Sequence, residues 1–172
     1  MQRWLCVLFL FAPWAAAAEK PAVEVPPENQ EKGARPALGG AEAMARKILD
    51  AIVKDDPAAV ADQFFPAAAF DVLKDMPKPR DYHGQLVKWY VADIHREHER
   101  LKGATKVEFD GFNAGRCVWK VIGSEGNKLP YWSCYRNEFH AKVDGQRLSI
   151  GLKAMINWGK VWYVTHLGPI PS

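Results

Sequence analysis

The sequence lacks the motifs by which many enzymes and nucleic-acid-binding proteins are recognised. It has no glycine-rich phosphate-binding loop, no serine elbow of a Ser-His-Asp triad, no cysteine set with metal-ligand spacing and no aromatic-basic RNA motif. We therefore expect no cofactor and no metal. Charge is nearly balanced, with 23 Lys and Arg against 20 Asp and Glu. That balance is not typical of a nucleic-acid-binding protein, so we expect no nucleic-acid partner.

The sequence also lacks an N-terminal apolar segment of the roughly 20 residues that a bilayer-spanning helix needs. Residues 4–11 are apolar, follow Arg3 and precede the small residues 15–18. This order is typical of a secretory signal peptide. We predict a cleaved signal over residues 1–18, a secreted or periplasmic protein, and no stable membrane insertion after cleavage.

Residues 19–40 have little that could form a core. They are rich in Pro, Glu, Ala and Gly, and such a composition buries little surface. We predict a flexible tether here, followed by a single domain over residues 41–172.

Helical spacing dominates the first half of that domain. Apolar residues recur every three or four positions over residues 41–54 and predict a first helix. Asp56 is placed to cap a second helix, which Pro66 ends. Residues 70–73 are predicted to be a short strand, and residues 81–102 the longest helix.

After Gly103 the apolar pattern alternates, which is typical of strands. Short connections rich in Gly and Asn predict an antiparallel meander, and the fold class is α+β. The five predicted strands cover residues 106–112, 116–122, 130–140, 147–156 and 161–167.

Turn residues set the register of two hairpins. The Asp-Gly turn at residues 144–145 predicts the pairs Phe139 with Ile150, Asn137 with Leu152, and Tyr135 with Ala154. The Trp-Gly turn at residues 158–159 predicts the pairs Ile156 with Val161, Ala154 with Tyr163, and Leu152 with Thr165.

Two cysteines, Cys117 and Cys134, face each other if the loop between them is centred near Gly126. Directly opposed residues of antiparallel strands are close enough for a disulfide, and an exported protein can retain one. We expect a structural disulfide. The alternative is a pair of buried free thiols, which behave as small apolar side chains.

The register divides the sheet into two faces. On the face that packs against the helices, a polar group interrupts an apolar surface. Its members must be satisfied by one another, by the helices, or by water and ligand in a cavity. We predict ligand-binding residues at Tyr135, Asn137, Tyr163 and Thr165, completed by Tyr82 and Tyr90 on the long helix.

The opposite face mixes charged residues with large apolar ones, and a contiguous apolar patch usually marks a contact surface. We predict a homodimer through this face. The charged members are Arg136, Glu138, His140, Lys153 and His166, and the predicted dimer surface consists of Trp119, Trp132, Met155 and Trp162.

The helix-Asp-Pro-helix opening and the closing Gly-Lys-Val-Trp-Tyr-Val-Thr-His-Leu strand resemble the nuclear transport factor 2-like superfamily, also called SnoaL-like or cone-shaped α+β domains. The resemblance covers residues 40–167. It implies N-terminal helices packed in the concave face of a strongly bent antiparallel sheet, with a pocket at the open end of the cone. It also implies dimers through the outer sheet face. Because the superfamily contains isomerases, cyclases, dehydratases and non-catalytic domains, it does not select a function.

Two functions remain open from the sequence. The first is an exported, non-catalytic binding or assembly domain that takes a small apolar ligand or a protein partner. The second is a pocket enzyme of the isomerase or dehydratase type, with Asp71 as a candidate catalytic base and Tyr135 or Tyr163 as donor.

Three histidines are candidates for metal binding or catalysis. His95 and His98 have a spacing that could contribute metal ligands, but the charges around them favour a solvated helix face. His166 is predicted to be a surface or dimer-contact residue.

Overall fold

The computed structural model describes residues 23–169, so the predicted signal peptide lies outside the described residues. Three α-helices precede a five-stranded antiparallel sheet, and two short 3-10 helices lie at Pro27–Asn29 and Pro57–Gln63. The helices are α1 (Gly39–Lys54), α2 (Ala67–Leu73) and α3 (Pro79–Leu101). The strands are β1 (Val107–Asn113), β2 (Arg116–Lys120), β3 (Tyr131–Val143), β4 (Gln146–Trp158) and β5 (Val161–His166). The α+β class and the helices packed against a bent sheet are confirmed.

The first helices form where the apolar spacing places them. Ile48 and Ile52 are fully buried on α1, which contacts both α3 and β5. The Asp56 carboxylate accepts a hydrogen bond from the backbone N–H of Ala59 at 3.2 Å, so the predicted cap forms, although the segment it caps is a 3-10 helix.

The short strand predicted at residues 70–73 is wrong, because this segment is the end of α2. Phe70 and Leu73 are both buried. Residues three apart lie on one side of a helix but on opposite sides of a strand, so only a helix buries both against the same core.

The sheet is not the predicted simple meander. Both β1 and β2 pair with β3, along consecutive parts of the same edge, while β4 and β5 follow on its other side. The chain changes from β1 to β2 at Gly115, where a Cβ atom would lie 2.1 Å from the carbonyl oxygen of Tyr135. Only glycine allows this close approach. Nearby, Arg136 has a left-handed φ of 57° and interrupts the regular pairing of β3.

The β3–β4 register is confirmed, including Tyr135 opposite Ala154. The predicted β4–β5 register is wrong by two residues, because the turn is tight and pairs Trp158 with Val161. A bulge then places Met155 opposite Val164 but Ala154 opposite His166. One extra residue on β5 turns the following side chain to the other face.

The predicted disulfide is confirmed. Cys117 on β2 and Cys134 on β3 are bonded, with 3.9 Å between their Cα atoms. Among residues 23–169, no helix combines the length and the apolar character needed to cross a membrane.

The structure differs from the predicted tether over residues 23–38. Asn29 is fully buried and its amide nitrogen donates to the carbonyl oxygens of Pro130 and Asn157, at 3.2 and 3.3 Å. Its oxygen accepts from the backbone N–H of Gly159 at 2.7 Å. A buried amide therefore fixes this segment beside the end of β4, a contact that composition does not reveal.

Part of the predicted dimer surface is buried within the chain. Met155 is fully buried and Trp162 is 3% exposed. The indole of Trp162 donates to the carbonyl oxygen of Ala37 at 3.1 Å, so the N-terminal segment covers it. His140 is also buried, whereas Trp119 and Trp132 are partly exposed and lie with ring centroids 5.6 Å apart.

Candidate functional site

A cavity of about 470 Å³ lies between the sheet and helices α2 and α3. Its size falls within the range of roughly 300–1,000 Å³ that is typical of small-molecule sites. Apolar side chains form much of its wall, namely Phe70, Leu86, Ala154 and Ile156. The polar lining residues come from strands, a helix end and a loop, namely Lys74, Tyr82, Glu125, Tyr131, Ser133, Tyr135, Lys153, Thr165 and His166.

Three of the predicted ligand-binding residues line this cavity: Tyr82, Tyr135 and Thr165. Tyr82 is on α3, Tyr135 on β3 and Thr165 on β5. Their position agrees with the predicted cavity face.

The structure places Asn137, Tyr163 and Tyr90 elsewhere. Asn137 uses its amide inside the sheet, where Nδ2 donates to the carbonyl oxygens of Cys134 and Leu152, at 2.9 and 3.1 Å. Tyr163 packs edge-on against Phe65, with 5.8 Å between ring centroids.

Tyr90 is also occupied by the fold itself. Its hydroxyl donates to the carbonyl oxygen of Val60 at 3.4 Å, and the side chain is buried. Burial raises the pKa of this phenol well above its ordinary value.

Two buried polar atoms in the cavity wall have no hydrogen-bond partner among the described residues. They are Ser133 Oγ and His166 Nε2. Ser133 is 1% exposed, so its hydroxyl is removed from bulk water. A buried polar group without a partner costs about 1–3 kcal/mol, and native proteins rarely leave one unless water, ion or ligand completes it.

The hydrogen bonds around His166 define its tautomer. The Thr165 hydroxyl donates its one hydrogen to the carbonyl oxygen of Ala154, at 3.3 Å. It can therefore only accept from His166 Nδ1, which lies 3.3 Å away. Nδ1 carries the proton, and Nε2 presents an unshared electron pair.

Burial keeps this imidazole neutral. It lowers the pKa of His166, an effect that Asp93 opposes and Lys74 reinforces. The cavity therefore contains a neutral imidazole that accepts a hydrogen bond and a serine hydroxyl that can donate or accept one.

Glu125 forms the charged end of the cavity. Its Oε1 accepts from the Tyr135 hydroxyl at 2.5 Å and pairs with Lys120 Nζ at 2.7 Å. Its Oε2 accepts from the Tyr131 hydroxyl at 2.7 Å. Burial opposes ionisation, but the hydrogen bonds from Lys120, Tyr135 and Tyr131 together lower the pKa of Glu125.

The loop that carries Glu125 is held in place from two sides. Asn127 is buried and its side-chain oxygen accepts from the backbone N–H of Glu125 at 2.9 Å. The carbonyl oxygens of Gly126 and Leu73 accept from the backbone N–H groups of Asp75 and Lys128, each at 2.7 Å. The loop is thereby fixed to the C-terminal end of α2.

Lys74 lies directly after α2 and reaches the same loop. Its Nζ donates to the Glu125 carbonyl oxygen and to the Tyr131 hydroxyl, both at 3.1 Å. Burial lowers the pKa of Lys74, the Glu125 carboxylate opposes that effect, and Lys120 adds to it. Both groups that accept from Lys74 are uncharged.

Asp71 does not line the cavity. Its carboxylate pairs with Arg80, while Oδ1 is buried without a hydrogen-bond partner in the described structure. The structure does not bring Asp71 together with Tyr135 or Tyr163, which the enzyme hypothesis requires.

The helix histidines contact protein groups. His95 Nδ1 lies 2.5 Å from the Asp55 carboxylate, and His98 Nδ1 lies 2.8 Å from the carbonyl oxygen of Ile52. In residues 23–169, no three His, Cys, Asp or Glu side chains cluster as metal ligands would.

Sequence reasoning missed Ser133, Glu125, Tyr131 and Lys74, and it placed His166 and Lys153 on the outer face. Ser133 and Tyr131 share the alternation of Tyr135, so the confirmed register contained the signal for both. Lys74 and Glu125 lie outside the strands and gave no periodic signal. The His166 prediction is wrong because the β5 bulge cannot be read from alternation.

No protein-family model matches the chain, and the curated proteins include no match to it. Among solved structures, a variant titled Rd1NTF2_05 aligns with a TM-score of 0.30 and 13% sequence identity. The alignment covers 72% of this chain and 90% of that chain. At so low a TM-score it carries no argument about function.

Proposed function

We propose that this chain is an exported, non-catalytic domain of the nuclear transport factor 2-like type that binds a small, mostly apolar molecule in its cavity. The observation that carries the proposal is the pair of unpartnered atoms, Ser133 Oγ and His166 Nε2, in a largely apolar wall. A ligand hydroxyl can donate to His166 Nε2, and Ser133 can bond to the same polar end. The apolar body then lies against Phe70, Leu86 and Ile156.

Export is supported by two independent features. The N-terminal sequence has the order of a signal peptide, and the Cys117–Cys134 disulfide suits an oxidising compartment. The disulfide joins β2 to the part of β3 that carries Ser133 and Tyr135, so it stabilises the cavity wall.

We favour binding over catalysis because the Asp71 carboxylate is engaged by Arg80 outside the lining. His166 is neutral and can accept a proton. The described hydrogen bonds, however, do not place a second catalytic group opposite it. Recognition of a hydroxyl requires only the groups that line the cavity.

Decanol is a suitable probe, since it combines one hydroxyl with an apolar chain. We expect it to bind the mature protein, measured by calorimetric titration. Ala154→Leu should weaken binding by about tenfold or more, because the added side chain enters the cavity. Ala43→Leu makes the same change on the exposed side of α1 and should have no effect.

A second readout does not depend on a variant. Decanol should shift the nuclear magnetic resonance signals of the His166 ring, because its hydroxyl reaches Nε2. If decanol binds without moving these signals, or does not bind, the proposed site is wrong.

A further inference from the structure

The charges around the cavity indicate the polar end of the ligand, in addition to the apolar body that the apolar wall indicates. Two lysines, Lys74 and Lys153, line the cavity together with one carboxylate, that of Glu125. Glu125 already pairs with a third lysine, Lys120. Among residues 23–169, neither Lys74 nor Lys153 forms a salt bridge. The cavity therefore has an excess of positive charge.

Lys74 is the better placed of the two. It is partly buried, whereas Lys153 is exposed. Two of its N–H bonds point to the Glu125 carbonyl oxygen and the Tyr131 hydroxyl, which fix the position of the ammonium group. An ammonium has three N–H donors, so one remains for a ligand.

The negative charge of Glu125 is already offset by its salt bridge with Lys120. Both of its carboxylate oxygens accept hydrogen bonds, from Tyr135 and Lys120 on one side and from Tyr131 on the other. The Tyr131 hydroxyl gives its hydrogen to Glu125, so its oxygen accepts from Lys74. Tyr131 therefore lies between the Lys74 ammonium and the Glu125 carboxylate.

We propose that the natural ligand is an apolar monocarboxylic acid whose carboxylate pairs with Lys74 Nζ inside the cavity. The proposal rests on the proposed binding function and names the chemical class of its ligand. A carboxylate has no hydrogen to donate, so its partner is Lys74 Nζ rather than His166 Nε2, to which an alcohol donates. The two groups that now accept from Lys74 are uncharged, so a ligand carboxylate would add the attraction of an opposite charge to the hydrogen bond from the ammonium. A neutral alcohol of the same length accepts a hydrogen bond from the ammonium without forming that ion pair.

Decanoate and decanol test this difference, because they share an apolar chain and differ at the polar end. We expect decanoate to bind the wild-type protein about tenfold more tightly, which corresponds to about 1.4 kcal/mol. Calorimetric titration at pH 7 measures both dissociation constants. If decanol binds and decanoate binds no more tightly, the carboxylate proposal is overturned while the binding function stands. If neither binds, the binding function itself fails.

Lys74→Met tests which lysine is responsible, since methionine keeps an unbranched apolar side chain without the charge. We expect it to remove the preference for decanoate over decanol. Lys88→Met, on the exposed side of α3, is the matched control and should keep the preference. A preference that survives in Lys74→Met overturns the assignment to Lys74. The wild-type comparison remains decisive if that variant does not fold.

Discussion

The side-chain oxygen of Asn137 accepts a hydrogen bond from the backbone N–H of Gly115 at 3.1 Å. The contact holds together the point where the chain leaves β1 and begins β2. Sequence alternation placed Asn137 on the cavity face as a ligand-binding residue, but the amide is a structural group that satisfies three backbone atoms.

Replacing Asn137 should destabilise the sheet. Asn137→Ala removes the bonds to Gly115, Cys134 and Leu152, and at about 1 kcal/mol each we expect a loss of about 3 kcal/mol in the free energy of unfolding. Urea denaturation measures it. Gln146→Ala removes an amide at an exposed position of β4 and should cost less than about 1 kcal/mol. Equal losses in the two variants would refute the structural role.

The disulfide should stabilise the domain through the chain it closes. Cys117 and Cys134 are 17 residues apart, and a loop of that length predicts about 3 kcal/mol. We expect Cys117→Ala combined with Cys134→Ala to lower the free energy of unfolding by that amount. A thiol reductant should reproduce the loss in the wild-type protein and leave the double variant unchanged. If the disulfide of the wild-type protein is fully reduced and the free energy of unfolding does not fall, the prediction is contradicted.

Stability should depend on His166 at mildly acidic pH. Because the folded protein lowers the pKa of His166 below its ordinary 6.5, the unfolded chain takes up this proton first as pH falls. The stabilisation is complete above about pH 6.5, the ordinary pKa that applies to the unfolded chain, and is lost as pH falls from there through the lower pKa of the folded state.

The check is a comparison of unfolding free energies at pH 7 and pH 5. His166→Gln should show a smaller decrease over this interval than the wild-type protein, because it removes the titrating group while leaving the carboxylates. An identical decrease in both would show that His166 does not titrate differently in the folded state.

The homodimer stays a prediction, now restricted to the residues that remain exposed. Trp119 and Trp132 are partly exposed, and Val121 and Ile122 beyond β2 are 59% and 64% exposed. We expect sedimentation velocity to show a dimer that Trp119→Ser dissociates. Val161→Ser, at an exposed apolar position on β5, should leave it intact. A wild-type monomer at micromolar concentration would end the prediction.

Local patterns predicted the parts of the fold that depend on local rules. The Asp-Gly turn at residues 144–145 predicted the β3–β4 register. The loop centred near Gly126 separately predicted the β2–β3 pair of Cys117 and Cys134. Helical spacing placed α1 and α3 within two residues of their ends.

The candidate site was less predictable because its chemistry depends on irregular structure. A bulge of one residue moves His166 into the cavity wall, and a loop fixed by Asn127 brings in Glu125. Burial of Met155 and Trp162 depends on long-range packing, which alternation within a strand cannot supply. Such features arise from contacts distant in sequence.

The anchoring of Asn29 has a practical consequence for labelling and immobilisation. Gly159 and Asn157 hold this residue beside the β4–β5 turn, and none of the residues lining the cavity belongs to residues 23–38. A fluorophore or affinity tag joined ahead of residue 23 would therefore be attached to a segment that does not form the cavity wall. Surface-based binding assays can therefore attach the domain through a point ahead of residue 23.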